Sequence, residues 1–246
     1  MTPILYGQPI FSVQNGRCAV IGHEVLFRLE VGSNKPPLGP ADVVGLLDPA
    51  QVYPFMDACV MNILMSTSDT HSIGDIFINL APETITRADL RRSWLRCLAA
   101  LCHSTKSQIT VEFSERAIDA EATREMAIEC KKAGARVALD DFTGTSEAAR
   151  ALLQGVRWDF IKICAHAIRD AGLQLENLLN NLRFASPGSN IVFERFELDD
   201  IQAINGVFPR SFFQSFCLGK PQPLSTARLR QYALGQSQNF AQAIIG

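Results

Sequence analysis

Several apolar runs of the chain are interrupted by side chains that could do chemistry: Gln8, Glu24, Asn79, Glu112, Asp140 with Asp141, Lys162, Glu194 and Gln214. Most stand at or near the carboxyl end of a strand-like run, as in Ile76-Phe77-Ile78-Asn79, Val137-Ala138-Leu139-Asp140-Asp141 and Ile191-Val192-Phe193-Glu194. Any one of them alone reads equally well as a solvated strand end, less so Glu24 and Lys162, which lie within largely apolar runs. Gathered at one mouth, five carboxylates would repel one another and raise each other's pKa unless cations neutralised them. Oxygen donors with one Asn amide, and no clustered His or Cys, suit a hard cation such as Mg²⁺ or Mn²⁺. The adjacent Asp140-Asp141 pair could serve two ions with one carboxylate bridging. Two divalent ions about 4 Å apart are a recognised device for phosphodiester hydrolysis. Lys162 among these groups would orient, or help deprotonate, an attacking water.

These residues need a scaffold that brings strand ends together. The runs Ile4–Val13 and Arg17–Leu29 flank Asn15-Gly16, the expected chemistry of a tight hairpin. A helix follows, with Pro54 in its first turn and Val52, Phe55, Met56, Cys59, Val60, Ile63 and Leu64 at helical spacing. Strand and helix patterns then alternate. Strands are expected at 76–80, 108–113, 136–139, 158–163, 190–193 and 211–218. Helices are expected around Leu90–Leu101, 119–133 (Asp119 as N-cap, Gly134 after its end), 146–153, 173–182 and 198–204, and from Ser225 to about Gly235. Eight strands with helices after most of them point to a (β/α)₈ barrel, a doubly wound open sheet being the competitor. The opening hairpin requires one antiparallel strand, because a two-residue turn cannot join parallel neighbours. In a parallel barrel the carboxyl ends of the strands converge on one mouth, where such folds place their active sites.

Composition narrows the function classes. The 23 Lys+Arg nearly balance 25 Asp+Glu, leaving a net charge of −2 and no global field to hold a nucleic acid polymer or an anionic membrane. No apolar run approaches the roughly 18 residues of a membrane helix, and the start lacks a signal peptide's basic region. The seven scattered cysteines contain no C-x-x-C pair, which favours reduced core thiols in a cytoplasmic protein. Nucleophilic-serine, phosphate-loop, dinucleotide-binding and zinc motifs are all missing, and His23, His71, His103 and His166 do not pair at ligand spacing. A single domain over 1–246 is expected, with its core at about 4–235 and a tail at 236–246.

The order and spacing of these motifs resemble the bacterial EAL domain family, which hydrolyses the second messenger cyclic-di-GMP. The resemblance runs from Gln8-Pro9-Ile10 to Lys220-Pro221. Glu24-Val25-Leu26 stands for the name-giving motif, followed by Phe27-Arg28, and Asn79 lies in Ile78-Asn79-Leu80-Ala81-Pro82. Glu112-Phe113-Ser114-Glu115 is similar to the family's Glu-x-x-Glu segment, Asp140-Asp141-Phe142 to its Asp-Asp-Phe motif, and Ile161-Lys162-Ile163 to its lysine strand. Glu194-Arg195-Phe196-Glu197 resembles the late Glu-x-x-Glu segment, and Gln214 lies six residues before Lys220-Pro221.

The resemblance implies a modified TIM barrel with an antiparallel first strand. It implies ligation of Mg²⁺ or Mn²⁺, as two ions, by Glu24, Asn79, Glu112, Asp140, Asp141 and Glu194. Lys162 would assist the nucleophilic water alongside Glu194, and Glu115 would steady the loop after Asp141. Gln8, Arg28, Glu197 and Gln214 would contact the substrate, guanidinium geometry suiting phosphate in the case of Arg28. The reaction would open one phosphodiester of cyclic-di-GMP to the linear dinucleotide. Related domains often pair as homodimers, and a regulatory protein partner would supply the input.

Three departures bear on activity. The family's Phe-Gly-x-Gly-Tyr-Ser-Ser loop reads Phe142-Thr143-Gly144-Thr145-Ser146-Glu147, which removes one glycine's backbone freedom. Lys-Ile-Asp becomes Lys162-Ile163-Cys164, and Ala-Glu-Gly-Val-Glu becomes Phe193-Glu194-Arg195-Phe196-Glu197. The alternative to an enzyme is therefore a weak or inactive domain acting as a cyclic-di-GMP receptor or a protein-interaction regulator.

Overall fold

The computed structural model describes residues 1–14, 17–32, 35–45, 48–67, 74–115, 119–170, 172–207 and 211–224. Strands β1 (Thr2–Gln14) and β2 (Arg17–Glu30) pair antiparallel from Thr2↔Glu30 to Gln14↔Arg17, leaving two residues for the connection. Asn15 and Gly16 themselves lie outside the described residues, as do the helix expected from Ser225 and the tail at 236–246.

From β2 the sheet continues in parallel through β3 (Asp75–Leu80), β4 (Ile109–Ser114), β5 (Arg136–Asp140), β6 (Phe160–Cys164), β7 (Asn190–Glu194) and β8 (Ser211–Gln214). Strand β8 then pairs antiparallel with β1, which closes the ring. The result is a TIM-like barrel whose first strand runs against the other seven, and the open-sheet competitor is excluded. A two-residue strand, β9 (Gln222–Pro223), adds to β1 outside the ring.

Side chains alternate across each strand, so register pairs share a face. The pairs Gln8↔Glu24, Glu24↔Phe77, Asn79↔Glu112, Glu112↔Ala138, Ala138↔Phe160, Lys162↔Val192 and Glu194↔Gln214 therefore mark one continuous inner surface. Its lower part is a dry plug of Ile10, Phe77, Ala138, Phe160 and Val192, with Phe77 and Phe160 meeting edge to face at 5.1 Å. The polar residues form the layer above. A larger apolar cluster, from Val111 and Leu139 to Trp158 and Leu182, fills the space between barrel and helices.

The helices are α1 (Pro40–Val44), α2 (Pro49–Ser66), α3 (Pro82–Thr86), α4 (Ala88–Ser104), α5 (Ala120–Lys132), α6 (Glu147–Gly155), α7 (Ala165–Asp170), α8 (Leu175–Ala185) and α9 (Leu198–Val207). Asp119 caps α5 by accepting from the Glu121 and Ala122 amides, and Gly134 follows its end at φ +95°. Ser146 caps α6 through the Ala149 amide.

Three details differ from the sequence expectation. Helix α2 starts five residues earlier, with Asp48 as N-cap and Pro49 in its first turn, so Pro54 lies inside the helix. Strand β8 stops at Gln214 rather than 218, because the chain turns at once, with the Leu218 and Gly219 amides donating to the Ser215 carbonyl. The short helices α1, α3 and α7 have too few residues to show a periodic pattern. No helix among the described residues is long and apolar enough to cross a membrane.

Candidate metal and phosphodiester site

Lys162 projects from the middle of β6 into the barrel and is 1 % exposed. Its Nζ lies 2.8 Å from Glu112, 3.0 Å from Glu194, 3.2 Å from Asp140 and 3.4 Å from Glu24. These carboxylates come from β4, β7, β5 and β2, so one ammonium sits among four strands' worth of negative charge. Glu24 is held further: Asn79 Nδ2 donates to its Oε1 at 2.7 Å, and Gln214 Nε2 donates to its Oε2. Gln8 is the register partner of Glu24 on β1 and is buried beside it.

The electrostatics follow from burial and charge imbalance. Burial pushes the Glu24 carboxyl upward, but Lys162 together with the donors from Gln214 and Asn79 outweighs it, and Glu24 is held below the usual carboxylate range. Glu112 lacks such donors. Burial, helped by the charges of Glu24 and Asp140, raises it well above its ordinary value despite Lys162. Burial raises Asp140 as well, and it pushes Glu194 up to about 8. The same burial opposes the charge on Lys162, yet the carboxylates around it raise its pKa well above normal. One ammonium faces four buried carboxylates in this layer, so burial and mutual repulsion favour the protonated forms of Glu112, Asp140 and Glu194.

A second cation source fits the donors present. One oxygen from each of Asp140, Asp141 and Glu194 lies within 4.8 Å of the others. Glu112 Oε2 is buried with no hydrogen-bond partner among the described residues, an expensive state for a carboxylate oxygen without a cation. Asn79 donates its amide to Glu24, which leaves its carbonyl oxygen available to a metal. An all-oxygen set of this kind suits Mg²⁺, Mn²⁺ or Ca²⁺. Asp141 takes a left-handed backbone at φ +51°, a strained state for a non-glycine residue and one that recurs at functional sites.

The remaining predicted site residues divide. Arg28 lines a cleft of about 520 Å³ together with Asn79 and Glu112, its guanidinium bonded to the Phe27 carbonyl at 2.7 Å and lying 5.9 Å from the Tyr6 ring centroid. Gln214 is buried, and its Nε2 donates to Glu24. Glu197 is exposed just before α9, its amide donating to Asp200. Glu115 follows β4 and accepts from the Thr143 amide at 2.7 Å, the Thr143 hydroxyl at 2.6 Å and the Gly144 amide at 3.2 Å. Cys164 faces inward at the end of β6, buried and in register with Glu194.

Asp57 on α2 went unread in the sequence. It lines the same cleft, accepts from the Ala81 amide at 3.2 Å and from the Thr84 hydroxyl at 2.5 Å, and so ties α2 to the turn just after Asn79. Burial is the main reason its carboxyl rises to about 7, with Glu83 adding to it. Its signal was a lone acid among Val52, Met56 and Val60 on the buried face of the helix.

A family model described as the EAL domain matches residues 4–178. The chain belongs to the EAL domain family. Solved structures with the same fold include the PaMucR phosphodiesterase in a c-di-GMP complex, at 21 % identity over 90 % of this chain and 92 % of that one, with a TM-score of 0.67. The YkuI protein of Bacillus subtilis, with an EAL domain and in complex with substrate c-di-GMP and calcium, is 20 % identical over 98 % of this chain and 60 % of its own, with a TM-score of 0.70. BlrP1 of Klebsiella pneumoniae, in a manganese and cyclic-di-GMP complex, is 19 % identical over 90 % of this chain and 56 % of its own, with a TM-score of 0.68. No curated protein matches the sequence. In this EAL domain, the matched segment contains Glu24, Asn79, Glu112, Asp140, Asp141 and Lys162, whereas Glu194 and Gln214 lie beyond it on the last two strands of the ring.

Proposed function

We propose that this EAL domain hydrolyses one phosphodiester of cyclic-di-GMP to the linear dinucleotide, using divalent cations held at the barrel mouth. The reading is carried by Lys162 standing within 3.4 Å of Glu24, Glu112, Asp140 and Glu194, an ammonium amid a carboxylate layer that lacks enough positive charge. YkuI and BlrP1 hold cyclic-di-GMP with calcium or manganese on the same fold, which supports both the ligand and the ion class.

Asp140, Asp141 and Glu194 would hold one ion, with Glu24, Asn79 and Glu112 completing the set. The ions would supply charge for the phosphoryl oxygens and lower the pKa of a water. Lys162 would hold that water by a hydrogen bond from Nζ and help balance the negative charge on the phosphoryl oxygens. Glu194, once ionised, would help hold the ion beside the attacking water. Arg28 would meet a substrate phosphate in the cleft it shares with Asn79 and Glu112. Gln8 and Gln214 would contact the substrate from within the layer, Gln214 also holding Glu24 in place, while Glu197 would meet the substrate from the rim. Glu115 would steady the loop after Asp141.

One observation favours a receptor as the second reading. The buried thiol of Cys164 stands where the family carries an acid, which weakens the charge next to Glu194. Incubation with cyclic-di-GMP and Mn²⁺, followed by chromatography of the products, separates the two. Linear dinucleotide above a Glu24→Ala control supports the enzyme. Binding without product selects the receptor, and neither binding nor product leaves the interaction module.

A further inference from the structure

We propose that Thr143 is a positioning residue whose hydroxyl, clasped by Glu115, sets the turn that carries Asp141 before any ligand arrives. The turn joins β5 to α6 and is tied along its whole length. The Phe142 amide donates to the Lys162 carbonyl at 2.9 Å, fixing the turn to the neighbouring strand. Glu115 Oε2 accepts the Thr143 and Gly144 amides, and Oε1 accepts the Thr143 hydroxyl. The Thr143 hydroxyl oxygen also lies 3.0 Å from that of Thr145. From the helix side, Arg150 donates to the Gly144 and Thr145 carbonyls at 3.3 and 3.2 Å. Gly144 sits at φ +68° with the Phe142 ring packed where a Cβ would be, so the one glycine left in the turn is the one its geometry requires.

Replacing a glycine with Thr143 therefore does more than remove freedom. A β-branched residue restricts the open states of the turn, and its hydroxyl adds a third donor to a buried carboxylate. Both Glu115 and Thr143 are buried, so a lost hydroxyl leaves Glu115 Oε1 short of a partner, a costly arrangement that the turn can relieve by opening. Opening frees Asp141 from its strained φ of +51° and moves it away from Asp140 and Glu194. In this chain the order of the turn is built in rather than induced.

This inference rests on the proposed metal reading for its consequence, but not for the clasp itself. The test compares the wild type with Thr143→Val, which keeps the shape and loses the hydroxyl, and Thr143→Ser, which keeps the hydroxyl. Amide hydrogen exchange without metal reads the clasp, Mn²⁺ titration calorimetry reads the placement of Asp141, and thermal melts check global folding. Thr143→Val is expected to lose protection at the Thr143 and Gly144 amides and to bind Mn²⁺ roughly three- to tenfold more weakly, of the order of one ordinary intramolecular hydrogen bond. Thr143→Ser is expected to restore both. Unchanged protection in Thr143→Val overturns the clasp. A wild type that binds no Mn²⁺ overturns the metal reading and the positioning role with it, whatever the exchange shows.

Discussion

The ammonium of Lys162 lies 2.8 Å from Glu112, and both side chains are sealed from solvent. Breaking a buried pair by removing one partner costs about 3–5 kcal/mol, because it strands the other charge. Lys162→Met is therefore expected to lose several degrees of thermal stability at neutral pH without metal. Added Mn²⁺ should raise its melting temperature more than that of the wild type, since the ion supplies the missing positive charge. Scanning fluorimetry with and without Mn²⁺ checks both, and an equal Mn²⁺ response in the two proteins counts against the charge argument.

Metal affinity should depend on pH with a definite sign. Ligation requires ionised carboxylates, while burial holds Glu194 at about 8 and raises Glu112 and Asp140. At pH 6 an incoming ion must displace protons, and above about 8 Glu194 no longer offers one. Mn²⁺ affinity is expected to climb as pH rises from 6 through about 8. Calorimetry in two buffers of different ionisation enthalpy should show proton release that shrinks over the same range.

Asp57 gives a separate stability window. Its folded pKa of about 7 lies above the ordinary value of 3.8, so the folded state binds more protons between those limits. Its contribution is complete below about pH 4 and declines as pH rises to about 7. Asp57→Asn removes the titration while keeping an acceptor for the Ala81 amide. The variant should gain stability relative to the wild type at pH 8 and show little or no gain at pH 5. Urea melts at the two pH values decide it.

Arg195 follows Glu194 with φ +58°, a left-handed conformation that costs a side chain about 1–2 kcal/mol. Glycine removes that strain but adds roughly 0.4–1 kcal/mol of unfolded-state entropy. Arg195→Gly should therefore be slightly stabilising, by up to about 1 kcal/mol in chemical denaturation. A loss of stability would mean that the arginine side chain makes compensating interactions.

The closed ring was readable because strand and helix patterns alternate strongly, and because Asn15-Gly16 demanded an antiparallel first strand. Element ends were less readable. Pro54 looked like a helix start, while the actual signal was Asp48-Pro49 five residues earlier. Asp57 escaped notice because burial, which raises its pKa, is a property of packing. Thr143 read as a loss in the sequence, since the carboxylate that receives its hydroxyl is 28 positions away.

By itself the sequence determined which chemistry the barrel mouth carries: five acids, an amide and a lysine, most of them at or near strand ends, in an order that identifies the family. Strand alternation alone would send the neighbouring Asp140 and Asp141 to opposite faces, and the structure brings them together where β5 has ended and Asp141 turns left-handed at φ +51°. Only the tertiary structure decided who serves whom. The closing of β8 onto β1 and the stagger of the ring bring Gln214 to Glu24 across 190 positions, and Lys162 to Glu24 across 138. Gln214 is thereby placed to hold a carboxylate through its amide nitrogen, a partnership that no spacing along the chain announces. Charge and hydrogen-bond partnership fall off over a few ångströms, so they are fixed by the register of distant strands rather than by spacing along the chain.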